Sequence, residues 1–316
     1  MARRTIDYGD IMGDSISMMK KHVIIFLPNV MLVLLSLLLF TIFFHLSGLA
    51  EAFIRRPYII DDPSALRAVF SSLSTTPRFI LSLVGLIALE LLLGAYFTVM
   101  KFGMIRDVLK NDKTSLKSAS TFAEKNYLNF ITVYLAVKAI IFLPLFALLF
   151  IFLMAVRATG GVPFVHFLMG LFGVVWFFYA IVMTVRLFFV YPVMTFERER
   201  FFNVIGHEFH YVKTHITHTL LSFLIVIVVL FAYAFIRESV NILGLQIQAY
   251  AVVIFLVIML LALEVFVTTW EHVFIFKSYA DGKKIDRILK ESGHKSSKKS
   301  AKKSKKGPAK KRKTTA

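Results

Sequence analysis

Four histidines lie within twelve residues, in the stretch HEFHYVKTHITH. Imidazole nitrogens are common zinc ligands, so this spacing raises the question of a metal site. In a helix the first two and the last two histidines form i,i+3 pairs that could each chelate weakly, but the pairs lie about 12 Å apart at 1.5 Å per residue. HEFH is also not the H-E-x-x-H of metalloproteases. We therefore predict no native metal at His207, His210, His215 and His218.

A helix over residues 199–218 would be amphipathic, because its apolar residues recur on one side at 100° per residue. The histidines fall mainly on the opposite side, which predicts a helix lying among lipid headgroups with a solvated histidine face. A pH-responsive role for these rings is the alternative. The predicted apolar stripe consists of Phe201, Phe202, Ile205, Phe209, Val212 and Ile216.

A second set of ionisable side chains lies inside long apolar runs: Glu90, Lys138, Arg186 and Glu264. At 1.5 Å per residue all four lie about 12–18 Å from the predicted cytosolic helix ends, in one layer. A central charge costs at least about 2.5–3.5 kcal/mol on insertion scales. The sequence therefore predicts two internal ion pairs, Glu90 with Lys138 and Arg186 with Glu264. A transport or lipid-headgroup site in this layer is the alternative.

The elements that must position these residues are predicted from hydropathy. The chain of 316 residues is 58% apolar with 33 Phe, and its mean hydropathy is +0.73. Soluble domains are usually about 45–50% apolar. A helix of about 20 apolar residues crosses the hydrocarbon of a bilayer. Six runs are long enough, which predicts an all-α polytopic membrane protein with a membrane domain over 23–276 and spans at 23–46, 79–100, 129–154, 164–194, 219–236 and 249–276.

Lysine and arginine are distributed unevenly between the two sides that these spans define. The N-terminal segment 1–22, the loops 101–128 and 195–218 and the region after the last span hold 29 of the 37 basic residues, against 6 in the other loops. Because basic loops stay in the cytoplasm, we predict a cell-membrane protein with both termini cytoplasmic.

The six spans form three predicted hairpins, each entered through a cytosolic segment. The entry sequences KHVIIF, KNYLNF and HTLLSF are similar, and Glu90 and Glu264 each precede an aspartate by 17 residues. This pattern favours a degenerate triplication, with chance similarity among apolar runs as the alternative. It places further cytosolic helices near 113–128 and 199–218, beside the interfacial segment 1–22.

The region 277–316 is predicted to be a basic and largely disordered cytoplasmic tail. Its last 23 residues carry eleven basic side chains, with no acidic or aromatic residue, so they cannot bury enough apolar surface to fold. Such a tail would bind anionic lipids, or nucleic acid or ribosomes without sequence specificity. The candidate tail residues are Lys298, Lys299, Lys302, Lys303, Lys305, Lys306, Lys310, Lys311, Arg312 and Lys313.

Catalytic and cofactor motifs are missing from the sequence. It contains no Walker loop, no G-x-G-x-x-G and no G-x-S-x-G, and the absence of cysteine removes disulfides and thiolate sites. We therefore expect no enzyme activity and no cofactor.

Two stretches carry a resemblance. GAYFTVMKFGMIRDVLKNDKTSLKSASTFAEKNYLNFI and VYPVMTFERERFFNVIGHEFHYVKTHITHTLLSFLI resemble a broad group of prokaryotic six-helix membrane proteins, in which a helix end with an acidic residue leads through a cytosolic helix into the next span. The group includes the membrane domain ahead of some glycerophosphoryl diester phosphodiesterases. The resemblance covers residues 1–290 and implies the architecture. It does not imply phosphodiesterase activity, because this chain has no such catalytic domain.

Two functional hypotheses follow. The first is a non-enzymatic membrane organiser or adaptor that binds anionic partners through its cytosolic face and basic tail. The second is a transporter or lipid-handling protein that uses the buried charge layer. A close-packed charge layer would favour the first hypothesis, and a cavity that reaches Glu90 or Arg186 would favour the second.

Overall fold

The computed structural model describes residues 6–55, 63–160, 162–197, 201–247 and 249–304, and every regular element within these ranges is helical. A 3-10 turn, Val23–Phe26, joins the first two α-helices. The α-helices are α1 Tyr8–Lys21, α2 Leu27–Leu46, α3 Leu49–Arg55, α4 Pro63–Ser74, α5 Pro77–Asn111, α6 Leu116–Thr159, α7 Pro163–Arg186, α8 Val190–Glu197, α9 Phe201–Thr214, α10 Ile216–Gln246 and α11 Tyr250–Ser304.

Six helical segments in the described part of the chain are long and apolar enough to cross a membrane, which confirms the all-α polytopic prediction. Helices suit this solvent because hydrocarbon offers no partner for backbone N–H and C=O groups. The segments are Val23–Leu46, Pro77–Asn111, Leu116–Ala158, Pro163–Glu197, Ile216–Gly244 and Tyr250–Lys284.

Consecutive spans pack as three hairpins, as predicted: α2 with α5, α6 with α7, and α10 with α11. Helices α5 and α11 connect the hairpins, because α5 also packs on α6 and α11 also packs on α2 and α5. At the far end of the first hairpin, Arg78 donates to the carbonyl of His45 and forms a 3.2 Å ion pair with Glu51. The triplication itself stays a prediction.

The tightly packed core lies at one end of the bundle, which we call the basic end: α1, the C-terminal part of α5, the start of α6, α8, α9 and residues 267–281 of α11 meet there. The largest fully buried side chains belong to this core, among them Phe102, Phe189 and Tyr279. Within the spans, by contrast, Leu81 is 71% and Phe231 is 73% exposed, as expected of side chains that face lipid. The hairpins are therefore joined mainly at the basic end.

The first predicted cytosolic segment folds into this core. Asp7 caps α1, since its carboxylate accepts from the backbone N–H of Gly9 at 2.8 Å. Ile11 and Met19 are buried, and α1 packs along α11. Segment 1–22 is thus part of the tertiary core as well as a polar entry to the first span.

Helix boundaries differ from the predictions in three places. The predicted helix near 113–128 is continuous with the span that follows it in α6, because no helix breaker separates them. The run 164–194 breaks between Arg186 and Val190, where Pro192 cannot donate a backbone hydrogen bond to the preceding turn. The helix predicted over 199–218 ends at Thr214, so the last histidine belongs to α10.

The predicted tail begins later than Lys277, because α11 continues through Ser304. Lys277 pairs with Asp14 at 3.1 Å and Tyr279 is buried, so this region belongs to the core. Among the candidate tail residues, Lys298, Lys299, Lys302 and Lys303 lie on α11 with side chains outside the described part. Lys305, Lys306, Lys310, Lys311, Arg312 and Lys313 lie outside the described residues, and the disorder of the tail stays a prediction.

Candidate functional site

Two adjoining cavities of about 510 and 450 Å³ lie between α2, α5, α6 and α11, on the membrane side of the core. We call them together the charged cavity. Both are lined by Leu32, Glu90, Lys101 and His272. The first is otherwise mostly apolar and aromatic, and the second adds Asn29, Ser36, Glu264 and Thr268.

Lys101 is the cation of the charged cavity and is only 3% exposed. Its Nζ donates to Asn29 Oδ1 at 2.9 Å. The Asn29 amide nitrogen donates in turn to Thr269 Oγ1 at 2.6 Å and to Thr268 Oγ1 at 3.2 Å. Both threonine hydroxyls donate to carbonyls of α11, which leaves their lone pairs to accept from Asn29. The network therefore fixes the amide with its oxygen toward Lys101.

His272 presents a hydrogen-bond acceptor to the same cavity. Its Nδ1 lies 2.6 Å from the carbonyl oxygen of Thr268, and because a carbonyl only accepts, Nδ1 carries the proton. The other ring nitrogen, Nε2, then keeps its lone pair in the neutral imidazole. The ring packs against Phe102 with a centroid distance of 5.2 Å, which holds its orientation.

Carboxylates outnumber cations around the charged cavity. Glu90 is exposed and its Oε1 accepts from Ser36 Oγ at 3.1 Å. Glu264 is half-buried and lines the second cavity. Glu271, next to His272, interacts electrostatically with Lys101. Two carboxylates and one ammonium group thus line the charged cavity, and Glu271 already offsets that ammonium group, so the site favours a cationic or hydrogen-bond-donating group.

The predicted ion pairs of the charge layer do not form. In the described part of the chain, none of the salt bridges joins Glu90 to Lys138 or Arg186 to Glu264. Lys138 is exposed and lies over the rings of Tyr134 and Phe142, at 5.5 and 5.8 Å from their centroids. The four charged residues of the layer therefore face different directions around the bundle, and of the four only Glu90 and Glu264 line the charged cavity.

The histidines also separate. His207 and His210 are exposed, as predicted, and His215 is half-buried at the break between α9 and α10. His218 is only 7% exposed, so the prediction that it belongs to a solvated histidine face was wrong. Its Nε2 donates to the Ser278 carbonyl at 3.1 Å, and its Nδ1 accepts from the Tyr8 hydroxyl at 2.8 Å. This histidine joins α1, α10 and α11.

The face that α9 turns to the core is rotated from the predicted apolar stripe and shares only part of it. Val204, Glu208 and Tyr211 are buried together with Val212 of the stripe, whereas Ile205 and Phe209 are half-buried and Ile216 on α10 is exposed. The side chains of Phe201 and Phe202 lie outside the described part. The helix is rotated because it packs on the break between α7 and α8. Phe189 has no helical carbonyl partner at this break, and its N–H donates to Glu208 Oε1 at 2.8 Å.

Glu208 is fully buried, and its Oε2 has no hydrogen-bond partner among the described residues. Burial raises the pKa of Glu208 to about 8, against the smaller opposing effect of the Phe189 N–H. The carboxyl group is therefore largely protonated at pH 7. Glu208 is not among the residues predicted from the sequence, because it lies between two histidines on an apparently polar face.

Metal-ligating groups do not converge in the described part of the chain, where no cluster of three or more His, Asp or Glu side chains could hold an ion. His207, His210 and His215 do line one surface cavity of about 350 Å³ with Glu197. Lys283 lies in that cavity and forms a 3.1 Å ion pair with Glu197. The Glu197 carboxylate is therefore already paired with an ammonium group and does not favour a metal ion.

Four residues at the charged cavity are likewise absent from the residues predicted from the sequence: Asn29, Lys101, Glu271 and His272. Lys101 was counted as the first residue of a loop, although the flanking run YFTVMKFGMI is apolar on both sides. The signal for Lys101 was a lone charge inside an apolar run, and the signal for Asn29 was a lone amide in FLPNVML.

No protein-family model matches the chain, and searches of curated proteins and of solved structures returned no match.

Proposed function

We propose that this integral membrane protein is a non-enzymatic transporter or lipid-handling protein that binds its ligand in the charged cavity. The observation that supports the proposal is that the cavity reaches Glu90 and Glu264 and contains the buried Lys101. A cavity at Glu90 is the feature that distinguishes this hypothesis from a membrane organiser. The organiser hypothesis depends on the cytosolic face and on the basic tail, and the tail side chains lie outside the described part of the chain.

The ligand class follows from the lining. Phe102, Phe130, Tyr134 and Tyr191 line the larger cavity and offer ring faces to an apolar or cationic group. The surplus of carboxylates favours positive charge near Glu90 and Glu264. We therefore propose an amphipathic ligand with a cationic or hydrogen-bond-donating head and an apolar body.

The polar residues have separate roles in this proposal. Glu90 and Glu264 would accept hydrogen bonds from the head of the ligand, and His272 Nε2 would accept another. Lys101 would stay bonded to Asn29, where it offsets the charge of Glu271 and keeps α2, α5 and α11 in register. Chemical conversion of the ligand is not required of any of these residues.

The orientation completes the proposal. We propose that the basic end lies in the cytoplasm of a cell-membrane protein, which the surplus of basic residues at this end supports. The charged cavity then lies on the cytoplasmic side of the bilayer midplane, where a ligand from the inner leaflet or the cytoplasm would enter.

Binding and flux of a lipophilic cation test this function. Ethidium serves as the probe, with the full chain reconstituted in liposomes. The variant Glu90→Gln/Glu264→Gln should weaken ethidium binding by about tenfold or more, since 1.4 kcal/mol corresponds to a factor of ten, and should abolish flux. The matched control Glu124→Gln/Glu238→Gln removes two exposed carboxylates outside the charged cavity and should change neither quantity.

Scrambling of a fluorescent lipid in the same vesicles distinguishes lipid handling from solute transport. Equal ethidium binding by the wild type and the Glu90→Gln/Glu264→Gln variant, together with flux and scrambling no faster than in empty liposomes, would contradict the proposal.

A further inference from the structure

A second polar cavity, of about 620 Å³, lies at the surface of the basic end where α6 begins. Its lining contains three cationic side chains, three hydroxyl groups, an amide and one ring, and it contains no carboxylate. We call it the α6 cavity. The lining residues are Arg106, Ser115, Lys117, Ser118, Thr121, Phe122, Lys125 and Asn126.

The start of α6 supplies backbone donors to this cavity. Ser115 is the N-cap, and its Oγ accepts from the N–H of Ser118 at 3.2 Å. The other N–H groups of the first turn have no partner within the helix, and the dipole of a long helix adds partial positive charge at this end. A helix N-terminus of this kind favours an anion.

Arg106 on α5 gives independent support for an anion site, because it is 8% exposed and its Nη1 is buried without a hydrogen-bond partner in the described part of the chain. Its Nε and Nη2 donate to Asp107 Oδ1 at 3.1 and 2.7 Å. Ser118 Oγ donates to the other oxygen of Asp107. The guanidinium group lies 4.1 Å from the centre of the Phe122 ring. Arg106 is therefore rigidly positioned with one nitrogen unused.

The net charge of the α6 cavity is positive. Asp107 offsets Arg106, but Lys117 and Lys125 are exposed and neither forms a salt bridge within the described residues. Two ammonium groups therefore remain to meet an anion. Hydroxyl groups and backbone N–H donors beside them suit the oxygens of a phosphate.

The position of the α6 cavity along the membrane normal favours a lipid phosphate over the phosphate of a nucleic acid. Lys125 and Asn126 directly precede the apolar run that begins near residue 129, so they lie where α6 enters the bilayer. Lipid phosphates occupy this level. The only ring in the lining, Phe122, is covered by Arg106 and lies close against Gly103, which leaves no platform for a nucleic-acid base.

From this arrangement we infer that the α6 cavity binds the phosphate of an anionic phospholipid headgroup. The site is separate from the charged cavity and does not depend on the function proposed for it. Arg106 and the N-terminus of α6 would hold the phosphate oxygens, and Lys117 and Lys125 would add the selectivity for net negative lipids.

Lipid binding by the full-length protein tests the inference. The measurement is the affinity of the chain in neutral-detergent micelles for fluorescent phosphatidylglycerol and for fluorescent phosphatidylcholine added to the same micelles. Lys117→Gln/Lys125→Gln should weaken phosphatidylglycerol binding by about tenfold or more, because each basic residue near an anionic surface contributes about a factor of five. The control Lys20→Gln/Lys213→Gln removes two exposed lysines that do not line the α6 cavity, so a single lipid held there does not contact them and its affinity should fall no more than about threefold.

A second variant and a soluble competitor complete the test. Arg106→Gln should lower the preference for phosphatidylglycerol over phosphatidylcholine while Arg106→Lys retains part of it, with folding checked by the melting temperature. Millimolar inorganic phosphate should not displace the lipid. Displacement would show a site for free phosphate and overturn the lipid assignment. Equal losses in the two lysine pairs, or a loss confined to binding of random RNA, would overturn the inference as a whole.

Discussion

Lys101 and Asn29 form a buried hydrogen bond of 2.9 Å between α5 and α2, although 72 residues separate them along the chain. Through Asn29 the contact continues to Thr268 and Thr269 on α11. Three helices from two hairpins are thus connected by one polar network at the wall of the charged cavity. A buried network of this kind stabilises the fold only while each member keeps its partner.

Lys101→Met should destabilise the protein strongly. The change leaves Asn29 Oδ1 without its donor and Glu271 without its neighbouring cation, and loss of one partner of a buried charge pair costs about 3 kcal/mol or more. Thermal and denaturant unfolding in detergent measure the loss. Lys138→Met is the matched control and should be neutral or stabilising, because Lys138 is exposed and forms no salt bridge among the described residues.

A double variant separates the effect of charge from that of packing. If Lys101 and Glu271 interact as a pair, Lys101→Met/Glu271→Met should lose less stability than the sum of the two single changes. Additive losses would mean that the two side chains act independently.

Glu208→Gln should remove a component of the pH dependence of stability. The native pKa of Glu208 is raised to about 8 from an ordinary value of 4.5, so between these values the native state keeps a proton that the unfolded state releases. Stability from this group is therefore fully present below pH 4.5 and falls by about 1.4 kcal/mol per pH unit as the pH rises toward 8.

The two proteins should accordingly be similar near pH 5, and the variant should be more stable by about 3 kcal/mol or more at pH 8.5. The comparison is made by unfolding across this range, with the exposed Glu238→Gln as control. A wild-type advantage that grows with pH would show that the carboxyl group is ionised in the folded protein.

Gly103→Ala should disrupt the contact between α5 and α6. A Cβ atom at Gly103 would lie 2.7 Å from Cδ1 of Phe122, closer than packed carbon atoms allow. Overpacking of this kind costs about 1–3 kcal/mol. Gly85→Ala, on the same helix with open space around it, should instead be neutral or stabilise by up to about 1 kcal/mol. Equal melting temperatures of the two variants would contradict the close packing of Phe122.

Cysteine labelling tests the topology, because the chain has no cysteine of its own. Lys20→Cys places a thiol at the basic end, and Ser71→Cys places one on α4 at the opposite end. Both positions are exposed. In intact cells a membrane-impermeant maleimide should label Ser71→Cys and should label Lys20→Cys only after permeabilisation. Labelling of both from outside would refute cytoplasmic termini.

The number of spans and their order could be predicted from the sequence. Hydropathy over about 20 consecutive residues depends on local composition alone, and in hydrocarbon a contiguous apolar run has no regular structure open to it other than a helix or a closed barrel. The short connections at 160–162 and 247–249 then required hairpin neighbours in the second and third pairs of spans. Exposure of His207 and His210 followed in the same way from a local helical pattern.

The tertiary structure decided which way each side chain faces around its helix and which distant residue it contacts. Lys101 is buried because α2 supplies Asn29, His218 because α1 supplies Tyr8, and Glu208 because the break after α7 exposes the N–H of Phe189. Each of these partners comes from a distant element. The predicted pairing of Glu90 with Lys138 was wrong for the same reason: depth along a helix is read from residue number, whereas the direction that a side chain faces depends on which helices pack around it.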